Sequence, residues 1–251
     1  MTLNGTLAGT ERIQQLSERL AQEGALSIVK EARRFSVHEM TIRRDFESLE
    51  LQGLARRVRG GIVLPQGDVF SVRMHQAKRA KEQIARKLQS LVPDDSAIGV
   101  DASTTLVYFV RGIRASGLSV VTNGWTTFDE LNRRSGVRAF LTGGESEEHN
   151  ASLVGPLAVR SIEGFHFSRI FLSATSLAPD SGTSEPTLLQ AEVKRAMVTV
   201  GSHVVVAVDS SKLDTTSAVR ALSFTDIDLL VTELDPSDSR LDAYRDSIEL
   251  L

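Results

Sequence analysis

Thr41-Ile42-Arg43-Arg44-Asp45 sets two adjacent arginines and a threonine within about one helical turn, and Arg56, Arg57 and Arg59 follow just before Gly60-Gly61. A guanidinium can hold a phosphate or fork onto a guanine edge, so this row is chemistry aimed at a polyanion. A second set lies further along: Asp101, Ser103, Thr104 and Thr105, then Thr122-Asn123, Gly143-Gly144, Asp209 and Lys212. Hydroxyls, glycine-exposed backbone N–H groups and one lysine suit a small polyol phosphate. The chain has no cysteine, which excludes disulfides, thiolate metal sites and cysteine nucleophiles.

The arginines need a scaffold. Ile13, Leu16 and Leu20 predict a helix over 10–23, with Thr10 as its cap and Gly24 as its stop. A second short helix fits 27–34, capped by Ser27, with Ile28 and Ala32 inward. After a turn at Phe35-Ser36-Val37, a third runs from His38 to Gln52 and ends at Gly53. Its buried face takes Ile42, Phe46, Leu49 and Leu51, which leaves Thr41, Arg43, Arg44 and Glu47 outward. Leu54 to Arg59 alternates and turns through Gly60-Gly61 into Ile62-Val63-Leu64, the pattern of a hairpin. Three short helices and a wing make a minimal winged helix-turn-helix, whose third helix enters the major groove. Charge agrees. Residues 1–80 hold 13 Lys/Arg against 9 Asp/Glu, a net of +4, whereas 81–251 hold 16 against 23, a net of −7.

Behind it, Pro65 and Gly67 mark a linker, and Ile84, Leu88 and Leu91 give one face of a helix within 71–91. Short apolar runs then alternate with helical stretches, at 97–100, 118–122, 137–141, 169–172, 203–208 and 229–232. Such alternation predicts an open, largely parallel α/β sheet. Ligands of these sheets bind at the carboxyl ends of strands, where Asp101–Thr105, Thr122-Asn123, Gly143-Gly144 and Asp209–Lys212 fall. Glu192 and Lys194 lie on a predicted helix; Lys194 reads as part of an exposed charged face, and Glu192 is left open.

At Val37, Thr41-Ile42-Arg43-Arg44-Asp45, Leu49, Gly53, Arg57 and Gly60-Gly61 the chain resembles the DeoR family of bacterial transcriptional regulators. The resemblance continues through Asp101-Ala102 with Thr104-Thr105, Val121-Thr122-Asn123, Gly143-Gly144, Ala191–Met197 and Asp209–Lys212. It implies an α/β main domain, with a sheet like that of ribose-5-phosphate isomerase and the CoA-transferases, behind a small winged helix-turn-helix domain. It also implies a phosphorylated sugar held by the Asp101–Thr105 loop, Thr122-Asn123, Gly143-Gly144 and Lys212. Several positions depart from the family, among them Ser176-Leu177-Ala178-Pro179 where a Gly-Ile-Asp type run is frequent. His38 stands where a capping Ser is usual, Glu31 where Leu is preferred, and Ser103 where the loop has Gly, which would narrow the phosphate approach or forbid a positive φ.

The expected layout is a DNA-binding domain over 8–64, a linker over 65–80, an effector-sensing domain over 81–235, and a tail or helix over 236–251. Composition is that of a soluble globular protein, with 41% hydrophobic and 24% charged residues. No apolar run is long enough for a membrane span and no signal peptide is evident, so the expected location is cytoplasmic. The function expected is DNA-binding regulation, most readily repression of carbohydrate-metabolism genes. The partners expected are an operator duplex, a small phosphorylated sugar, and further copies of the chain as a homodimer or homotetramer. No catalytic residue, metal or cofactor is expected. The alternatives are a sugar-phosphate isomerase or CoA-transferase-like enzyme using the same cleft, and a protein-docking module.

Overall fold

The computed structural model describes residues 3–52, 54–64 and 70–251. They divide into two compact units, Met1–Gln76 and Ala77–Leu251.

The first unit contains α1 (Leu3–Glu23), β1 (Ala25–Ser27), α2 (Ile28–Arg34), α3 (Glu39–Leu51), β2 (Arg56–Val58), β3 (Gly61–Val63) and α4 (Phe70–His75). Helix α1 starts well before Thr10, so Thr10 lies inside it and not at its start. Leu16, Leu20, Leu26, Ile42, Phe46, Leu49 and Ile62 close the core. Leu51 is not among them. It is 84% exposed, because two residues beyond Leu49 a helix has turned by about 200°. Gly53, Pro65 and Gly67, expected as helix stop and linker, lie outside the described residues. Strand β1 was not anticipated. It completes an antiparallel sheet of order β1-β3-β2 behind the wing.

Two ion pairs stitch this unit together. Arg12 of α1 forks onto Asp45 of α3 at 2.6 and 3.2 Å. Arg19 forks onto Glu31 of α2, both bonds at 3.1 Å. Glu31 is therefore buried as a leucine would be, but as a matched charge. His38 caps α3 in place of a serine, its Nδ1 accepting from the Met40 N–H at 3.2 Å.

The second unit runs through α5 (Lys78–Gln89), β4 (Ala97–Val100), α6 (Thr104–Val110), β5 (Leu118–Thr122), α7 (Trp125–Asn132), β6 (Val137–Leu141), β7 (Glu145–Glu147) and β8 (Ser152–Val154). It continues with α8 (Pro156–Glu163), β9 (Arg169–Leu172), β10 (Ser176–Ala178), β11 (Gly182–Glu185), α9 (Leu188–Thr199), β12 (Val204–Ala207), β13 (Val219–Arg220), β14 (Leu229–Val231), α10 (Asp242–Arg245) and β15 (Glu249–Leu250). Seven strands form a parallel sheet of order β15-β14-β12-β9-β4-β5-β6. Alternate residues of its central strands feed two cores, one on each face. Val204 and Val206 face one, Val205 and Ala207 the other.

The segment beyond 235 is neither a free tail nor simply a helix. β15 pairs with β14, and the Tyr244 hydroxyl bonds to Leu177 O at 3.1 Å and Asp214 Oδ1 at 2.9 Å. From β4 the sheet grows one way through β5 and β6, and from β9 the other way through β12, β14 and β15. The β4–β9 seam is thus the topological switch point, where an open α/β sheet leaves a crevice for ligands.

Candidate functional site

On α3, Arg43 and Arg44 are exposed and Thr41 is half-buried, opposite the Ile42–Phe46–Leu49 stripe. Asp45, their neighbour, is the buried partner of Arg12 and fixes the rotation of the helix. On the wing, Arg56, Arg57 and Arg59 are all exposed. Among the described residues, Arg43, Arg44, Arg56 and Arg59 form no ion pair, whereas Arg57 is engaged. Its guanidinium lies on Glu50, and its backbone N–H donates to the same carboxylate at 3.0 Å. That backbone bond, followed by the charge of Arg57, holds Glu50 below the ordinary carboxylate range. The Gly60-Gly61 pair is built into the turn. Gly60 takes a φ of +87°, and a Cβ on Gly61 would meet the Leu26 carbonyl oxygen at 2.0 Å.

The strand ends of the second unit deliver their residues unequally. Asp101, after β4, is 2% exposed and joins β9 across the switch seam by accepting the Ser173 N–H at 2.9 Å. Lys194, on α9, does not sit on an exposed face. Its ammonium donates to Asp101 Oδ2 and, at 2.6 Å, to the Ser173 carbonyl, with Glu185 at 3.4 Å. Burial opposes the charge on Lys194. The pull of Asp101 and then Glu185, with hydrogen bonds to both, outweighs it and holds the lysine above its ordinary value. Glu185 also accepts from Thr175 N and Oγ1, at 3.3 and 2.9 Å. One atom of the cluster is unmatched. Asp101 Oδ1 is buried without a hydrogen-bond partner.

Around this centre the other predicted residues take differing parts. Ser103 has a φ of −124°, so no positive φ is required of it, and its Oγ accepts from Leu106 N at 3.1 Å to cap α6. Thr104 and Thr105 are buried behind it. The Asn123 amide is committed to bracing loops, accepting from Ala102 N at 3.0 Å and donating to Leu153 O at 3.1 Å. Thr122 Oγ1 receives the Gly124 N–H at 3.1 Å. Gly143 and Gly144 turn out of β6 with φ of +72° and +126°. Asp209 caps the short 3-10 turn Ser210–Lys212, accepting from Ser211 N at 3.1 Å. Lys212 is half-buried, and its ammonium has no partner among the described residues.

A winged helix-turn-helix unit is thus followed by a parallel sheet with a buried charged cluster at its switch point. Family models agree with that division. One for the DeoR-like helix-turn-helix domain matches residues 12–67, and one for the DeoR C terminal sensor domain matches 76–234. The chain belongs to the DeoR family. Among curated relatives, the HTH-type transcriptional repressor GlcR of Bacillus subtilis is 28% identical, covering 96% of this chain and 95% of its own length. The L-fucose operon activator of Haemophilus influenzae is 28% identical, covering 87% and 89%. Among solved structures, ribose 5-phosphate isomerase A of Methanocaldococcus jannaschii matches with a TM-score of 0.40 at 14% identity, over 54% of each chain. As a DeoR-family member the chain is a DNA-binding transcriptional regulator with a sensor domain. Among the described residues, no helix is long and apolar enough to cross a membrane.

Sequence reasoning missed Lys194 and Glu185 in this DeoR-family sensor. A signal existed for Lys194. Ala191, Lys194 and Met197 recur every third residue, and the two apolar members are fully buried, so the lysine between them lies on the packed stripe. Glu185 carried none, since Gly182–Glu185 is a short polar segment with every residue buried.

Proposed function

We propose that this DeoR-family regulator is a repressor of carbohydrate-metabolism genes, relieved or engaged by a phosphorylated sugar in the strand-end crevice. Thr41, Arg43 and Arg44 read the major groove, while Arg56, Arg57 and Arg59 hold the backbone beside it. Two copies of the chain read paired half-sites, as helix-turn-helix proteins do, within a homodimer or homotetramer.

The observation that carries the sensing half is the unmatched Asp101 Oδ1 beside Lys194. A buried carboxylate oxygen without a donor costs about 1–3 kcal/mol or more, which a ligand hydroxyl can return. A carboxylate accepts hydroxyls and repels phosphate, so Asp101 is the polyol end of the site. The phosphate falls to Lys212, two strands away along the edge. At about 4.8 Å per strand that separation is roughly 10 Å. The relative named L-fucose operon activator supports a carbohydrate setting, and the transcriptional repressor GlcR supports repression.

Thermal unfolding of the purified protein with pentose and hexose phosphates, the matching free sugars and inorganic phosphate tests this. A ligand of the folded state must raise Tm by mass action. A sugar phosphate should raise it more than either the free sugar or phosphate alone. Equal shifts for inorganic phosphate and every sugar phosphate would remove the polyol end from the account.

A further inference from the structure

Trp125 is the only tryptophan in the chain, and neither core of the second unit contains it. It opens α7 at the carboxyl end of β5 and is half-buried, and its indole N–H has no hydrogen-bond partner among the described residues. A tryptophan that serves packing alone belongs to a core, and a buried indole N–H ordinarily finds an acceptor. The turn that carries it is fixed on both sides. On one, a Cβ at Gly124 would lie 2.8 Å from the Ala102 side chain, so the turn rests against the residue that follows Asp101. On the other, the Trp125 N–H donates to Ala151 O at 3.2 Å and the Leu153 N–H to Asn123 O at 2.7 Å. In the sheet order β12-β9-β4-β5, Asp101 stands between Lys212 and Trp125. It is one strand, about 4.8 Å, from the tryptophan and two from the lysine. Cation, unmatched carboxylate oxygen and aromatic ring therefore follow one another along one edge.

We propose that Trp125 is the platform for the carbon face of the effector's ring, so that the sensor takes a cyclic sugar phosphate in preference to an open-chain polyol phosphate. The inference rests on the reading that a sugar phosphate binds at these strand ends. Chemistry assigns the ends of the ligand. The π face of an indole is negative and repels phosphate, whereas the C–H groups on one face of a pyranose turn their positive ends toward it. An open-chain polyol presents no such continuous face. Trp125 and Asp101 then supply the aromatic wall and the placed polar group that small-molecule sites combine. The free indole N–H adds a donor for a ring hydroxyl. Because the turn is clamped on both sides, the wall is in place before the ligand arrives.

The test titrates the full chain with the cyclic phosphates of glucose, galactose and mannose, and with sorbitol phosphate as the open-chain control, recording Tm and tryptophan emission together. With a single tryptophan, the emission reports this position alone. The hexose phosphate that raises Tm most should also shift the emission, and sorbitol phosphate should bind more weakly. Trp125→Ala should weaken the hexose phosphate by about tenfold, the scale of one stacked aromatic contact, and leave the affinity for sorbitol phosphate unchanged. Trp125→Phe should restore most of the loss. If Trp125→Ala melts early, the wild-type emission and the ring-against-chain preference decide. A hexose phosphate that raises Tm with no change in emission overturns the proposal, as does sorbitol phosphate binding equally well. Emission that follows protein concentration and ignores sugar phosphate also overturns it, by placing Trp125 between copies of the chain. No rise in wild-type Tm with any sugar phosphate would instead overturn the sensing reading beneath it.

Discussion

Lys194 and Asp101 stand ninety-three residues apart and form a buried ion pair that closes the seam between β4 and β9. The same ammonium holds the Ser173 carbonyl, so one side chain ties a helix to two strand ends. Lys194→Met would leave Asp101 and Glu185 buried without their cation. Breaking a buried pair on one side costs about 3–5 kcal/mol. Urea unfolding of the variant should show a loss of that size, and a loss below about 1 kcal/mol would mean the pair is not buried in solution.

Lys194 and Tyr244 are among the groups that make the second unit sensitive to alkali. Lys194 is held above its ordinary value, and burial, joined by the Asp214 carboxylate and opposed by the Asp214 N–H, pushes the Tyr244 hydroxyl up to about 12. Both have folded values above unfolded ones, so their stabilisation is complete below about pH 10 and is lost as pH rises through the folded values. Tm measured from pH 8 to 12 should be flat at first and then fall. Tyr244→Phe should remove the tyrosine's part of that fall. A Tm that holds steady to pH 12 contradicts both assignments.

Arg43→Ala and Arg44→Ala leave the core untouched, since both side chains are exposed. A forked arginine–guanine contact is worth about 1–3 kcal/mol of discrimination, whereas a phosphate contact weakens all sequences alike and lowers the salt slope by about 0.9. Titration of specific and random duplexes with each variant separates the two roles. Unchanged binding in both variants would move recognition off α3.

Glu50 pairs with Arg57, so if Arg57 holds the DNA backbone as proposed, Glu50 competes with DNA for it. Because its carboxyl is held below the usual range, the pairing persists as pH falls toward that range and is released only below it. Glu50→Gln removes the competition. An exposed, solvent-screened pair contributes little, so duplex affinity should rise by no more than about a few-fold. Weaker binding would show that Glu50 orients Arg57 rather than restraining it.

The central parallel strands were legible because they are buried on both faces and read as apolar runs, and the half-exposed edge strand β6 because it still carries Val137, Ala139, Phe140 and Leu141. The predicted stretches 97–100, 118–122, 137–141 and 169–172 coincide with β4, β5, β6 and β9. Strands β10, β11 and β13 were not, since residues such as Ser176, Thr183, Ser184 and Glu185 are polar yet buried, and bury through hydrogen bonds rather than hydrophobicity. In the crevice, Asp101 was legible from its place after a strand. Its partner was legible only in part, because Lys194 lies on the stripe of Ala191 and Met197 while the neighbouring Glu192 and Arg195 make the helix read as a solvated face. Asn123 shows the opposite case. Its position suggested a ligand contact, and its amide is spent on Ala102 and Leu153.

Under the proposed function, the arginines of α3 answer to a sugar phosphate held between Asp101 and Lys212. A coupling of about 1–3 kcal/mol between the two sites is the usual scale. The most direct measurement is the affinity of wild-type and Lys212→Ala protein for duplex from upstream of its own gene, with and without the sugar phosphate giving the largest thermal shift. Wild-type affinity should change about fivefold or more, and Lys212→Ala should bind DNA equally well with no response. An undiminished response in Lys212→Ala, or none in wild type, would contradict it.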